Sequence, residues 1–337
     1  MKLTYEQINS FTTGVFRTEK SDSGILFHRF SDQQQEMYRK INPYFFGETL
    51  CPAGAKIRFI TDSKKLSLKF FAESVVYEKY ILLDVEINGK LVGSIGNVPD
   101  EKVKNPFDTG FYQGEFSGEF SLGDGIKNVC IHLPYTAPVT LTELCLDDGA
   151  YLSSVEERKT WLALGDSITM GFQSVRPSGR YIARITEKSG YTEYNFGIGG
   201  EIFCPYLAKS LTFLKADIIS VAYGTNYFSR VNKDKMISDC SGFLDSLRAN
   251  FPKTKIIVIT PVWRGDIDEH NHSDNDLSKT TAIIKEICQR YENLFVIDGI
   301  DLIPHDVNYF LDRRLHPNDE GNEFFAENLL KKIKNLI

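Results

Sequence analysis

A short polar segment near the C-terminus combines residue types that can move a proton. It reads "LDRRLHPNDEG" from Leu311 to Gly321, and it holds His316 four residues after the carboxylate of Asp312. Histidine titrates near neutral pH and is the commonest general base, and a carboxylate behind it can orient the imidazole. A polar connection before a helix would use the same residues. The segment alone leaves both interpretations open.

A serine follows the first apolar run in the second half of the chain, in "GDSIT" from Gly165 to Thr169. If a strand turns into a helix here, the hydroxyl of Ser167 is exposed at the sheet edge and its backbone N–H lies at the positive end of the helix. That environment suits a nucleophile, but serine is also a favoured helix N-cap. The segment is not the G-x-S-x-G elbow, because Thr169 replaces the second glycine.

Two further turns follow later apolar runs. "NFGIGGE", from Asn195 to Glu201, is rich in glycine, so a backbone N–H can approach a ligand closely there. It lacks the spacing of a dinucleotide loop and the lysine of a P-loop, which argues against phosphate binding. "YGTNYF", from Tyr223 to Phe228, offers the side-chain amide of Asn226, either as a donor to a ligand or as a turn residue.

The elements that would carry these residues differ between the two halves of the chain. From Lys56 to Leu146 apolar and polar residues alternate, as in "KLSLKFF" and "LLDVEINGKLVGSIG", which predicts antiparallel strands with one solvated face. Asn88-Gly89 between two such runs predicts a type I′ hairpin. We therefore expect a β-sandwich of the jelly-roll type. The first 50 or so residues show no clear pattern.

After the polar stretch "DDGAYLSSVEERK", five apolar runs alternate with amphipathic segments. The runs are "TWLAL", "YTEYNF", "DIISVAY", "KIIVIT" and "LFVID", which predicts a five-stranded parallel sheet covered by helices on both faces. In "MISDCSGFLDSL", one helical face would carry Met236, Cys240, Phe243 and Leu247. Ligands bind such sheets beyond the carboxyl ends of the strands, where the serine, glycine and asparagine turns lie.

Length and composition limit the class of protein. The 337 residues suffice for two domains, which we place at 1–152 and 158–337. A net charge of −6 gives no reason to expect nucleic acid or an anionic membrane as partner. The N-terminus lacks the apolar segment of a signal peptide, so we expect a cytoplasmic protein, and six scattered cysteines without a CxxC motif are expected to be reduced and mostly buried.

The joint pattern resembles the SGNH (GDSL-type) hydrolase superfamily. Its four blocks occur here in order, as G-D-S-I, N-x-G-x-x-G, G-T-N and an acid before His-Pro, over about Thr160 to Ile337. The stretches "PVWRGDID" and "GIDLIPHDVNYF" look like a bacterial subgroup in which a β-sandwich precedes this domain, among carbohydrate acetyl esterases and a few acyltransferases. The resemblance implies a three-layer, flavodoxin-like α/β domain.

The resemblance also implies roles for individual residues. Ser167 would be the nucleophile and His316 its general base, and the backbone N–H groups of Ser167 and Gly200 would form an oxyanion hole with the amide of Asn226. Neither a metal nor an organic cofactor is needed. The family usually writes D-x-x-H, whereas Asp312 lies four residues before His316. We expect Asp312 to orient His316 in a tightly wound loop; otherwise a backbone carbonyl would do so, leaving a Ser-His dyad.

Four residues near these turns are candidates for substrate binding: Asp166, Tyr227, Trp263 and Arg264. The indole of Trp263 could stack on a sugar ring, but core packing is as good an explanation. His305 is the main rival of His316 as the base. His132, on the polar side of an alternating strand, is expected at the surface.

The loop "RGDIDEHNHSDND" gathers acids and histidines that could be mistaken for a metal site. They are Asp266, Asp268, His270, His272, Asp274 and Asp276. Alternating residues of this kind in a polar loop are typical of a solvated lid, because nothing fixes the ligand geometry, so we assign no metal.

The function expected from the sequence is hydrolysis of a short acyl ester, with acetyl the expected group, on a carbohydrate or small glycoside through an acyl-enzyme. A thioesterase or lysophospholipase and an acyltransferase are alternatives with the same machinery. An alternative of another class is a carbohydrate-binding pseudoenzyme. The partner would be a small-molecule or oligosaccharide ester, and the sequence leaves the oligomeric state open.

Overall fold

The computed structural model describes residues 1–74, 78, 80–98, 113–227, 232–270 and 276–337. The chain divides into two compact units. The N-terminal unit contains Met1–Arg158 and Val175–Ser178, and the C-terminal unit contains Lys159–Ser174 and Gly179–Ile337. The short segment 175–178 lies within the predicted range of the second domain, 158–337, but groups with the N-terminal unit.

The described part of the N-terminal unit contains two antiparallel sheets. The strands are β1 (Thr12–Thr13), β2 (Arg17–Ser21), β3 (Gly24–His28), β4 (Lys56–Thr61), β5 (Lys65–Ala72), β6 (Leu82–Ile87), β7 (Lys90–Gly96), β8 (Gly114–Ser121), β9 (Lys127–His132), β10 (Val139–Leu146) and β11 (Leu152–Ser154). One sheet has the order β1-β4-β9-β6-β7, with β11 beside β4, and the other has the order β2-β3-β10-β5-β8. One core contains side chains of both sheets, among them Ile57, Phe59, Leu68, Phe70, Val85, Ile131 and Leu141.

This arrangement confirms the predicted β-sandwich. The alternation that predicted it is visible on β5, where Leu66, Leu68 and Phe70 are buried and the residues between them are partly or fully exposed. The hairpin between β6 and β7 pairs Ile87 with Lys90 around Asn88 and Gly89, whose φ angles are 51° and 76°. Two positive φ angles are the mark of a type I′ turn, so this prediction is confirmed as well.

The first 50 residues contain three helices that the hydrophobic pattern did not reveal: α1 (Tyr5–Phe11), α2 (Asp32–Ile41) and α3 (Pro43–Thr49). A local signal for two of them is present in the sequence. Thr4 with Gln7, and Ser31 with Gln34, each form a reciprocal capping box at a helix start.

His132 corrects one expectation, because it is not a surface residue. It is 1% exposed, and its Nε2 lies 3.1 Å from a carboxylate oxygen of Glu86 and 3.4 Å from the sulfur of Cys130. The polar side of a strand faces solvent only if nothing covers it, and here His132 and Cys130 are buried beside Glu86, whose side chain is 13% exposed. Alternation predicted the face but not its environment.

Residues 175–178 group with the N-terminal unit through the buried carboxylate of Asp84. The backbone N–H and the hydroxyl of Ser178 donate to Asp84 Oδ2 at 3.0 and 2.6 Å, and Arg176 donates to the hydroxyl of Ser94 at 2.6 Å. No sequence pattern indicated this excursion of the chain.

The C-terminal unit is built on a five-stranded parallel sheet, as predicted. Its described strands are β12 (Lys159–Gly165), β13 (Tyr191–Gly197), β14 (Ile218–Ala222), β15 (Lys255–Ile259) and β16 (Leu294–Ile297), in the order β13-β12-β14-β15-β16. Its described helices are α4 (Ser167–Met170), α5 (Tyr181–Ser189), α6 (Pro205–Ser210), α7 (Lys233–Asn250), α8 (Leu277–Cys288) and α9 (Asp319–Ile333). The strand order places β12 between β13 and β14, so the turns after these three strands lie side by side at one edge.

Helices cover both faces of this sheet. α5 packs beside α9, and α7 packs beside α6 and α8. One core joins sheet residues such as Trp161, Ala163 and Ile257 to Phe325 and Leu329 of α9. The predicted apolar face of α7 is also buried, at Met236, Cys240, Phe243 and Leu247. The fold is therefore the three-layer, flavodoxin-like α/β architecture.

Two general features of the chain complete this description. All six cysteines are free, and four of them are buried. In the described ranges, no helix has the length and hydropathy that a transmembrane segment requires.

Candidate active site

The turn after β12 presents Ser167 as the first residue of a short helix. Asp166 is the N-cap of α4, because its Oδ1 accepts the backbone N–H of Ile168 at 3.0 Å. The cap is therefore Asp166 and not Ser167, whose hydroxyl is left for another contact. Asp166 is 2% exposed, and burial raises its pKa to about 7 against the opposing effects of the backbone N–H of Ile168 and the charge of Arg264.

Ser167 contacts the imidazole of His316. The hydroxyl oxygen lies 3.0 Å from Nε2, although the two residues are 149 positions apart in the chain. On its other side, Nδ1 of the same ring lies 2.8 Å from Oδ2 of Asp312. The hydroxyl, the imidazole and the carboxylate thus form one hydrogen-bonded series, in which the ring can accept a proton from the serine while the carboxylate holds its Nδ1–H.

The loop that carries His316 accommodates the additional residue between acid and base. Arg313 takes a left-handed conformation with φ 56°, and Leu311 donates its N–H to the carbonyl of His316 at 3.0 Å. Asp312 Oδ1 accepts the backbone N–H groups of Arg314, Leu315 and His316 at 2.9, 2.8 and 3.1 Å. The carboxylate is therefore held by the backbone of the loop that it orients.

Electrostatics keep Asp312 ionised. Partial burial alone would raise its pKa, but the hydrogen bond and the charge of His316, together with the backbone N–H groups, hold the pKa below its usual value. An ionised carboxylate at this position stabilises the imidazolium that forms when His316 takes a proton.

The proposed oxyanion donors lie on the three adjacent turns. Asn226 donates an amide N–H to the carbonyl of Glu201 at 2.9 Å, which holds the side chain beside the Gly200–Glu201 turn and leaves its second N–H for another acceptor. Gly200 has φ 78° and is exposed. Within the described residues, the backbone N–H groups of Ser167 and Gly200 have no protein acceptor. An anionic oxygen above these turns would find donors there.

The structure gives the four candidate substrate-binding residues other contacts. Tyr227 is buried, and its hydroxyl donates to Asp239 at 2.9 Å. Trp263 stacks on His305 with ring centroids 5.4 Å apart and also packs on Phe310. Arg264 is 4% exposed and pairs with Asp266 through Nε and Nη2. Asp166 is a buried cap, so none of the four gains support as a group that touches substrate.

The contacts of His305 are with groups other than the nucleophile. Its Nε2 donates to the carbonyl of Ile300 at 2.9 Å, and its ring is stacked on Trp263. An aromatic contact that the sequence did not indicate lies at His316 instead, where the ring of Phe172 is tilted against the imidazole at 5.6 Å. Phe172 closely follows the serine turn, but no periodic pattern singles it out.

The loop of acids and histidines has several assigned contacts. Asp276 is the N-cap of α8, and Asp266 pairs with arginines. His272 and Asp274 lie outside the described residues, as does the side chain of His270. Among the described residues, the group whose atoms could hold a metal ion is Glu86, Cys130 and His132 in the N-terminal unit.

The same three residues also interact with one another without an ion. Burial would lower the pKa of His132, but its contacts with Cys130 and Glu86 raise the pKa to about 10, against the charge of Lys56. A protonated imidazole whose Nε2 pairs with the Glu86 carboxylate accounts for one side of the ring, the buried Nδ1 has no hydrogen-bond partner among the described residues, and the charge of Lys56 disfavours a further cation.

The sequence of the C-terminal unit matches a known protein family. Residues 163–324 match the model of the GDSL-like Lipase/Acylhydrolase family. No curated protein sequence matches the chain.

Three solved structures illustrate the similarity of fold. The salicylyl-acyltransferase SsfX3 from a tetracycline biosynthetic pathway has a TM-score of 0.79 at 21% identity, over 96% of this chain and 94% of that one. A Bacteroides ovatus protein designated GDSL-like lipase has a TM-score of 0.77 at 21% identity, over 99% and 97% of the two chains. A family two carbohydrate esterase from Cellvibrio japonicus has a TM-score of 0.66 at 15% identity, over 98% and 96%.

At these identities the solved structures establish the fold of both units, while the family match rests on the sequence of the C-terminal one. The match begins within β12 and ends within α9, so it spans Ser167, Asn226 and His316. The C-terminal unit therefore belongs to the GDSL-like lipase/acylhydrolase family, and it is an SGNH-type enzyme that acts on ester bonds.

Proposed function

We propose that this protein is a serine esterase that removes a short acyl group, with acetyl the expected one, from a carbohydrate or small glycoside. The observation that carries the proposal is the hydrogen-bonded series of Ser167, His316 and Asp312 at the carboxyl edge of the parallel sheet. The likeness to a carbohydrate esterase over nearly the whole chain supports the substrate class.

In the first half-reaction, His316 Nε2 takes the proton of Ser167 as the hydroxyl oxygen attacks the ester carbonyl. The oxyanion accepts hydrogen bonds from the backbone N–H groups of Ser167 and Gly200 and from the Asn226 amide, each worth about 3 kcal/mol where such a donor has been removed. The intermediate collapses to the acyl-serine, and the imidazolium gives its proton to the leaving alcohol.

In the second half-reaction, a water molecule attacks the carbonyl of the acyl-serine through its oxygen, and His316 takes a proton from that water. A second oxyanion forms in the same donors, the bond to the serine oxygen breaks, and the imidazolium returns the proton to Ser167. A carboxylic acid leaves and the starting enzyme is restored. Asp312 remains ionised throughout and holds the Nδ1–H of His316.

The test is hydrolysis of p-nitrophenyl esters from acetate to palmitate by the wild type and by Ser167→Ala. We expect turnover confined to the short chains and a loss of at least about 10⁴-fold in kcat in Ser167→Ala, because the nucleophile is gone. Ser189→Ala is the matched control, since its hydroxyl donates to Ile185 within α5 at 2.6 Å. Equal rates in the wild type and Ser167→Ala would contradict the proposal, and a rate that rises with chain length would favour a lipid substrate.

Acyl transfer is a second candidate, favoured by the likeness to an acyltransferase over 96% of the chain. The same acyl-serine would then be attacked by the hydroxyl of an acceptor in place of water. Adding a sugar alcohol to the acetate assay separates the two: an acyltransferase yields the new ester at the expense of free acetate, and a hydrolase yields acetate whatever the acceptor concentration.

A further inference from the structure

The pair Arg264–Asp266 and the exposed Arg314 join two parts of the site that are far apart in sequence. We infer that Asp266, held between Arg264 and Arg314, positions the His316 loop against the turn that carries Asn226. The three would be positioning residues for the reaction proposed above, and the inference rests on that proposal. They touch no reacting atom and act through the loops that they connect.

Arg264 connects Asp266 to the asparagine turn. Its Nε and Nη2 donate to the two carboxylate oxygens of Asp266, the second at 2.8 Å. Its Nη1 lies 3.3 Å from both the carbonyl oxygen and the hydroxyl oxygen of Thr225, the residue before Asn226. A planar guanidinium with donors in a fixed fork transmits a defined orientation between two such partners.

Arg314 connects Asp266 to the histidine loop. Its Nε donates to Asp266 Oδ2, and its backbone N–H donates to Asp312 Oδ1 at 2.9 Å. Arg314 thus lies between the acid that orients His316 and the carboxylate of another loop, and a displacement of its backbone would move Asp312.

A backbone contact supports the same arrangement. The N–H of Gly265 donates to the carbonyl of Arg314 at 2.6 Å. A Cβ atom at position 265 would lie 2.8 Å from the carbonyl oxygen of Arg313 and 2.8 Å from a methyl group of Val307. The glycine between Arg264 and Asp266 allows this close approach. The segment "WRGD" therefore contacts the His316 loop twice, through the backbone of Gly265 and through the side chain of Asp266.

The carboxylate of Asp266 stays ionised because two arginines donate to it. Burial alone would raise the pKa of Asp266, but hydrogen bonds from Arg264 and Arg314 lower the pKa to about 2. The carboxylate is therefore ionised at any pH at which the enzyme would be assayed. Asp266 is 3% exposed, so removing its charge takes a carboxylate partner away from the buried guanidinium of Arg264, whereas Arg314 has a side chain that is 52% exposed and can be changed with less risk to folding.

The kinetic test uses Arg314→Gln, Asp266→Asn and the double variant, with the short-chain ester as substrate. We expect Arg314→Gln to lower kcat about ten- to a hundredfold with KM within about twofold, because a displacement of about 1 Å costs up to about 10²-fold in rate. Asp266→Asn should lower kcat at least as much, because it removes the pair with Arg264 as well, and the double variant should lie no lower than Asp266→Asn, because that variant has already lost the pair with Arg314. Arg314→Lys should recover part of the loss.

Lys285→Met is the matched control, because it removes a partly exposed ion pair with Asp298 in the same unit. Its kcat should equal that of the wild type. The inference is overturned if Arg314→Gln keeps kcat within about twofold, or if it raises KM and leaves kcat unchanged, which would make Arg314 a substrate contact. Should Asp266→Asn fail to fold, the result with Arg314→Gln decides.

A second readout does not depend on turnover. The Nδ1–H of His316, bonded to Asp312, should give a low-field proton resonance that Asp312→Asn removes. We expect Arg314→Gln to shift or broaden this resonance and Lys285→Met to leave it unchanged; an unchanged resonance in Arg314→Gln overturns the inference. If the proposed function is wrong, Ser167→Ala will retain wild-type activity. The resonance of His316 does not depend on turnover, so it tests the positioning role separately.

Discussion

The pair of Asp312 and His316 shows what one residue of spacing requires. Three residues lie between acid and base where D-x-x-H has two, and the loop accommodates the third with a left-handed residue, Arg313, although arginine has a Cβ that disfavours φ 56°. Three backbone N–H groups donate to Asp312 Oδ1 and offset that strain, and Oδ2 accepts the hydrogen bond of the imidazole. The departure from D-x-x-H therefore changes the path of the loop and keeps the contact.

Asp312→Asn tests the role proposed for this contact. The amide would present an N–H donor to Nδ1, which favours the tautomer whose Nε2 carries the proton and cannot accept that of Ser167. We expect kcat for the acetate ester to fall by about 10⁴-fold, as in another Ser-His-Asp triad. Asp301→Asn, an exposed carboxylate in the same unit, should keep wild-type activity. A loss below about tenfold in Asp312→Asn would indicate a Ser-His dyad.

At the scale of elements, the last helix begins where the histidine loop ends. Asn318 is the N-cap of α9, and its Oδ1 accepts the N–H of Gly321 at 2.9 Å. Its amide also donates to the carbonyl of Asn308 at 2.8 Å, on the segment before the loop. One side chain thus fixes both the start of α9 and the base of the loop.

Asn318→Ala should lower the free energy of unfolding by about 1 kcal/mol or somewhat more, because it removes the cap and the second hydrogen bond together. Asn318→Ser should lie between the alanine variant and the wild type, since serine caps a helix but cannot reach the Asn308 carbonyl in the same way. Urea unfolding followed by circular dichroism measures both. Equal stability of the wild type and Asn318→Ala would show that neither bond contributes.

At the scale of the whole molecule, each unit has its own core and buries some polar groups. One of these in the N-terminal unit is His132, which contacts Glu86 and Cys130, and the charge of Lys56 also acts on its imidazole. The pKa of His132 is raised from 6.5 to about 10. A base with a raised folded pKa stabilises the fold fully below pH 6.5, and this contribution is lost as the pH rises through 10.

His132→Gln should therefore change the pH dependence of stability. Relative to the variant, the wild type should lose unfolding free energy between pH 6.5 and 10, at no more than about 1.4 kcal/mol per pH unit. Urea unfolding at several pH values in that range measures the difference, and Cys130→Ser controls for the thiol that contacts the imidazole. A difference that does not vary with pH would mean that His132 is neutral in the fold.

Much of the fold followed from local patterns. Period-two alternation predicted the sandwich, and buried runs between amphipathic segments predicted the parallel sheet, because a residue's burial repeats with the geometry of its own strand or helix. Order along the chain placed Ser167, Gly200 and Asn226 after three strands, and adjacency of those strands brings their turns together. The helices near Thr4 and Ser31 were missed because their capping boxes are shorter signals than a periodic pattern.

The amino-acid sequence was enough to predict the kinds of element from Lys56 onward and the residues that follow the parallel strands, but not the helices of the first 50 residues. It did not predict that Trp263 stacks on His305, that His132 is covered, or that Arg264 and Arg314 share the carboxylate of Asp266, and the contact of Asp312 with His316 became visible only in the folded chain. The physical reason is the range of the interactions. Periodicity depends only on residues that are close in sequence. A left-handed residue in a loop, or the contact of Arg314 with Asp266 across 48 positions, depends on where the rest of the chain has folded.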